Sequence, residues 1–356
     1  MNNRIAQIQY RPGLHYFSIF TAISTLFLIC LGGQVTSKEA GMAVPDWPTT
    51  FGESMFLYPL SKMVGGVFWE HSHRLVASAV GLFTLILAYW VMIKERRKSL
   101  KIMVCIAVVS VIIQGLLGGL RVVLVLPEIG IFHAALAQSF FCLVTCIAVM
   151  TSRYWINKSQ RQDIQPLPFN ISKFTLGLTL VIFLQLMIGA VLRHEHAGLS
   201  IPDFPLHYGK VIPPLDPGYL ETLNDFRNEI LHMPPTSTAQ IFLHFIHRLV
   251  AYSIIALFIG SYIWLATRHA SSFRPFRKPI TIWGGLIFFQ AALGIATVLT
   301  LKAAEVATLH VANGATILAF GVVINLIIWQ HHKLSESIRA QGPDIKRSKK
   351  MVESVV

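Results

Sequence analysis

Four histidines of this 356-residue chain stand in two matched pairs. His73 and His133 stand at the starts of the second and fourth apolar stretches, and His247 and His310 at the starts of the sixth and eighth. Two imidazoles on facing helices are how a four-helix bundle holds a haem iron. For any one of them the alternative is polar packing, with a buried imidazole bonded to a neighbouring helix. Recurrence of the pair in register favours the ligand reading. Zinc fits less well, because neither half adds a Cys or carboxylate cluster to complete a tetrahedral set.

Charged residues flank these histidines. Arg74 and Arg248 directly follow the first His of each pair. Either they clamp the two propionates of a haem, for which Arg is suited, or they anchor helix ends at the membrane interface. Arg121 and Arg193, at outer helix ends, are further candidates. Three residues before the first ligand the halves differ: Glu70 in Glu70-His71-Ser72-His73, His244 in His244-Phe245-Ile246-His247. A spacing of i, i+3 puts both side chains on one helix face, so Glu70 is expected beside the iron of the first site. A carboxylate there is costly, which points to proton transfer or charge stabilisation; a simple pairing with Arg74 is the other reading. The second half lacks the carboxylate, so one chemically active site and one electron-transfer site are expected.

Eight stretches free of Asp, Glu, Lys and Arg must position these residues, at roughly 15–37, 75–93, 102–120, 129–150, 174–192, 249–267, 280–301 and 306–330. Each can cross a hydrocarbon core of about 30 Å as a helix. The first is longer than a signal-peptide core and no A-x-A site follows, so a retained helix is expected. The stretches fall into two similar halves. Leu31 to Gly52 aligns with Ile188 to Gly209, with A-G, P-D-aromatic-P and aromatic-G in register; His73-Arg74-Leu75-Val76 then matches His247-Arg248-Leu249-Val250. Gln114-Gly115-x-x-Gly118 resembles Gln290-Ala291-x-x-Gly294. Such ordered matches indicate duplication. Four helices per half make the repeat parallel, with a pseudo-twofold axis along the membrane normal. The expected architecture is an all-α membrane protein of eight transmembrane helices in two pseudo-twofold-related four-helix bundles. Its parts are residues 1–150, a linker 151–173, residues 174–330 and a basic tail 331–356. The PDWP and PDFP turns of residues 45–48 and 202–205 are Pro-stiffened, and serve either as lids or as structural turns.

Composition agrees. The chain is 54% hydrophobic and 13% charged, half the charge of a soluble domain, which excludes disorder and an ordinary soluble enzyme. The net charge of +13 is a topology signal. The termini and the loops after the second, fourth and sixth stretches hold 21 of the 30 Lys and Arg and 5 of the 17 acids, a balance of +16; the other side balances to −3. The positive-inside rule puts both termini in the cytoplasm and the paired histidines near the outer face. No nucleic-acid partner is needed. The four cysteines all lie within the predicted helices, where no disulfide is expected. Residues 1–14 do not resemble an organelle transit peptide, so a bacterial cell membrane is expected.

With E-x-x-H-R before the second helix, H-R before the sixth, and a single His opening the fourth and eighth, residues 15–330 resemble the haem A synthase family. The resemblance implies oxidation of the C8 methyl of haem O, via the alcohol, to the formyl group of haem A for cytochrome oxidase. It implies that His73 and His133 ligate the substrate haem O in the N-terminal half, and that His247 and His310 ligate a bound haem b in the C-terminal half. It makes Glu70 the functional carboxylate, assisting methyl oxidation by stabilising positive charge or moving protons. It also implies contacts with membrane lipid, the haem-O-forming enzyme and cytochrome oxidase assembly factors, an electron donor of unspecified kind, and leaves a homo-oligomer open. Some bacterial members carry a cysteine pair in an outer loop; this chain does not. Two other classes compete. A two-haem electron-transfer cytochrome shares the His pairs but gives Glu70 no task. A repeat-built transporter predicts broken helices and midplane charges, against charge-free stretches here.

Overall fold

The computed structural model describes residues 9–126, 128–159 and 169–353. Its helices are α1 (Pro12–Ser37), α2 (Gly65–Lys94), α3 (Lys98–Val123), α4 (Ile129–Met150), α5 (Arg153–Ser159), α6 (Phe169–His194), α7 (Pro217–Glu229), α8 (Thr238–Arg268), α9 (Ala270–Leu299) and α10 (Ala304–Glu353). Eight of them, all but the short α5 and α7, are long and apolar enough to cross a membrane. The protein is a multi-pass, all-α membrane protein.

The helices exceed the charge-free stretches where charge is locally satisfied. α2 begins at Gly65 rather than at 75, and α8 at Thr238 rather than at 249. The intervening Arg74 and Arg248 are hydrogen-bonded to carbonyls of the preceding loops, so both helices continue through them. Ser237 and Gln240 form a capping box that starts α8. Two short helices lie outside the apolar stretches. α5 opens the linker, whose residues 160–168 lie outside the described ones. α7 lies in the outer loop, started by Asp216, which accepts from the Tyr219 amide, and by Pro217 in the first turn.

In the first half α1 packs on α2, α2 on α3, α3 on α4, and α4 on α1; in the second, α6 packs on α8, α8 on α9, α9 on α10, and α10 on α6. α10 meets α1 and α4, and α4 also meets α6. α4 and α10 are therefore the central helices: 44% of their spanning residues are buried, against 17–28% in the other six. Polar ties cross the seam between halves. Arg193 of α6 donates to the Gly33 carbonyl and Ser37 hydroxyl of α1, both at 2.7 Å. Within the second half, Thr175 donates to Asn325 Oδ1 at 2.8 Å, and Asn325 donates to Thr179 Oγ1 at 2.9 Å. In hydrocarbon, where no water competes, such bonds fix helix register. The four cysteines are free.

Candidate haem-binding site

The first turns of α2 grip the loop before it. Arg74 donates to the carbonyls of Val44 (2.9 Å), Asp46 (2.6 Å) and Thr49 (3.2 Å), and to Glu70 Oε1 at 2.7 Å. The other oxygen of Glu70 accepts from the Val44 amide at 2.9 Å. Both side chains of this ion pair are nearly buried, Arg74 at 10% exposure and Glu70 at 6%. The second half repeats the cage. Arg248 donates to the carbonyls of Ile201, Asp203 and Leu206 at 2.9–3.1 Å. His244 stands where Glu70 does: its Nδ1 lies 3.3 Å from the Ile201 amide and its Nε2 3.2 Å from Arg248 Nε, and a neutral imidazole accepts from one of the two. The break in the repeat thus keeps both neighbours, the loop amide and the arginine, and removes one negative charge and one acceptor. The guanidinium groups of Arg74 and Arg248 are committed to loop carbonyls. Arg121, within electrostatic reach of His73 and His133, has its buried Nε without a partner.

The caged segments are the PDWP and PDFP turns. Asp46 accepts from the amides of Phe51 (2.8 Å) and Gly52 (2.9 Å) and from the Thr49 hydroxyl; Asp203 accepts from the amides of Tyr208 (2.8 Å) and Gly209 (2.9 Å). The glycines that end both turns have positive φ, +77° and +73°, a conformation open to Gly at no steric cost. Burial raises the Asp46 carboxyl, but the bonds from Gly52, Thr49 and Phe51 outweigh it and hold it below the ordinary value. A lowered carboxyl contributes stability above its unfolded-state pKa and loses it as pH falls through the folded-state value. The amides of Phe51 and Gly52 are therefore expected to lose hydrogen-exchange protection as pH drops below the normal carboxylate range. In Asp46→Asn that protection should be weak and independent of pH.

The four imidazoles gather at one end of the fold. They lie four to nine residues inside the N-terminal ends of α2, α4, α8 and α10, roughly 6–14 Å along the axes. In each half the two rings are within electrostatic reach of one another. Each also rests against a glycine of the preceding long helix. A Cβ on Gly32 (α1), Gly118 (α3), Gly189 (α6) or Gly294 (α9) would stand 3.2–3.4 Å from Cε1 of His73, His133, His247 or His310. All four glycines sit five residues before the end of their helix, which puts the four notches at one level. Gly32 aligns with Gly189 and Gly118 with Gly294 in the repeat, yet their place under the imidazoles is visible only in three dimensions.

These residues fit a haem. Nδ1 of His73, His133, His247 and His310 is buried without a hydrogen-bond partner. An unsatisfied buried nitrogen costs about 1–3 kcal/mol, so four in register call for a ligand. Gly189→Ala is expected to push the His247 ring by a few tenths of an ångström; the check is a shifted low-spin signal in the electron paramagnetic resonance spectrum of the purified protein.

The fold and site define a polytopic membrane protein with two pairs of half-buried histidines at one end, their Nδ1 atoms buried. Residues 15–322 match the COX15-CtaA family model, described as cytochrome oxidase assembly protein, and the chain belongs to that family. Among similar proteins, one named Heme A synthase from Halalkalibacterium halodurans is 28% identical over 309 residues, covering 83% of this chain and 91% of the relative. Proteins of the same name from Shouchella clausii and Bacillus cereus are 27% and 25% identical, over 82% and 83% of this chain and 88% and 87% of theirs.

Proposed function

We propose that the protein is a haem A synthase, an oxidoreductase that converts the C8 methyl of haem O, through the alcohol, to the formyl group of haem A. The net change adds one oxygen and removes two hydrogens from the methyl carbon. One observation carries the division of labour: Glu70 and His244 occupy the same cage, but only Glu70 brings a carboxylate. The half with that carboxylate, residues 1–150, takes the substrate haem O between His73 and His133. The half comprising residues 174–330 holds haem b between His247 and His310. Two pseudo-twofold-related four-helix bundles joined by residues 151–173 are the frame, supported by matching helix neighbours in the two halves.

Bound haem supplies the redox chemistry. The chain's own residues hold and orient it. The four imidazoles would supply the nitrogens that hold the iron, and the glycine notches seat the rings. Arg121 is the cation best placed for a propionate of the first half, its Nε being unpartnered. Arg74 and Arg248 serve cofactor binding by fixing the loops that close over α2 and α8. Glu70, held by Arg74 and the Val44 amide, stabilises positive charge or takes a proton beside the substrate. The basic tail 331–356 and both termini lie in the cytoplasm of a bacterial cell, and the haem sites lie near the outer face, as the charge balance indicates. The haem-O-forming enzyme, oxidase assembly factors, a second copy of the chain and an electron donor are the partners this role would use.

Expression in cells that make haem O but not haem A tests the reading. Extracted pigments are expected to include haem A. Protein that accumulates and binds haem without any alcohol or aldehyde product would instead fit a two-haem electron-transfer cytochrome.

A further inference from the structure

Three of the four imidazole-bearing residues are gripped by a glutamine, and one is not. Gln114 of α3 donates to the His133 carbonyl, Gln185 of α6 to the His247 carbonyl and Gln290 of α9 to the His310 carbonyl, each at 2.9 Å. The amide nitrogens of Gln185 and Gln290 also lie 3.3 Å from Nε2 of His247 and His310. Each glutamine precedes the notch glycine by four residues, in Gln114-x-x-x-Gly118, Gln185-x-x-x-Gly189 and Gln290-x-x-x-Gly294. One face of each helix therefore carries both the seat and the clamp. The fourth instance reads Leu28-x-x-x-Gly32: His73 has the seat, but no side chain among the described residues hydrogen-bonds its ring or carbonyl. The C-terminal half is braced again, since Asn313 donates to Gln290 Oε1 at 2.8 Å; the first half has Leu136, which has no side-chain donor, at the equivalent place. Ordinary interhelical packing does not account for three independent helices that choose the carbonyl of the histidine itself.

A resident cofactor must stay through many turnovers, whereas a substrate and its product must pass through the same ligands each cycle. We propose that Gln114, Gln185 and Gln290 are positioning residues that hold three of the four histidines in place, and that Leu28 leaves His73 as the histidine that yields when haem O enters and haem A leaves. This rests on the assignment of haem to the four histidines.

The test uses full-length purified protein carrying its haem b and loaded with haem O. It measures the transfer rate of each pigment to apomyoglobin, together with low-spin g values. Gln185→Leu and Gln290→Leu are expected to release haem b about fivefold faster or more and to shift its g values. Leu28→Gln is expected to slow haem O release by a similar factor and leave haem b unchanged. Two independent clamp variants guard against one failing to accumulate. Wild-type release rates and g values in the Gln variants, or an unchanged haem O rate in Leu28→Gln, overturn the proposal. His247→Ala separates the two levels. If it leaves haem b in place, the haem assignment itself falls; if it removes haem b while the Gln variants behave as wild type, only the clamp falls.

Discussion

Glu70→His is expected to keep the loop closed on α2 and to lower haem A formation about a hundredfold or more, the scale on which a positioned acid or base acts. The second half supplies the control. His244 touches the same two neighbours, a loop amide (Ile201) and the following arginine (Arg248), that Glu70 meets in Val44 and Arg74, and accepts from one of them. A histidine at 70 can therefore anchor the loop as His244 does. Glu70→Ala is a poorer probe, because it strands the buried Arg74 cation, at a cost of about 3–5 kcal/mol for a broken buried pair. Its loss of activity would mix chemistry with misfolding. Pigment chromatography reports the activity of Glu70→His, and exchange protection of the Val44 amide reports the loop. Full activity with a closed loop would reduce Glu70 to an anchor.

Removal of single imidazoles should divide the two halves. His247→Ala and His310→Ala are each expected to lower the haem b that purifies with the protein about tenfold or more and to abolish its low-spin signal. Loss of a nitrogen that would ligate the iron is a larger change than loss of an outer-shell partner, which already costs about 10–100-fold in metal affinity. His73→Ala and His133→Ala are expected to stop haem A formation while the haem b signal persists. The two halves share a seam through α1, α4, α6 and α10, but no residue of one pair lies on a helix that carries the other. Loss of haem b in His73→Ala would reverse the assignment of the halves. The expected contrast is read from optical spectra and extracted pigment on the same preparations.

Much of this was legible from residue order. Long charge-free stretches forecast the eight spanning helices, because lipid permits few alternatives to an apolar helix. The paired histidines, the Asp-centred turns and the exchange of Glu70 for His244 all stood out through the repeat. Helix ends were less legible: α2 and α8 run about three turns past their apolar stretches because Arg74 and Arg248 find carbonyl partners in loops 25 to 47 residues away. No local signal carries that information. For the same reason the sequence could not distinguish a propionate clamp from a loop clamp. The glycine notches were visible as letters but not as seats, since their meaning depends on which imidazole faces them. The third Gln-x-x-x-Gly, at Gln185, has no echo in the repeat, because its counterpart is Leu28.

Oxidation of the haem O methyl group by this chain is tested most directly with purified full-length protein, haem O and a chemical reductant in air. The pigment is followed by chromatography and mass spectrometry. The alcohol is expected first and the aldehyde after it, and neither should form with His73→Ala. Haem O that binds to the protein and is recovered unchanged after prolonged reduction would contradict that activity.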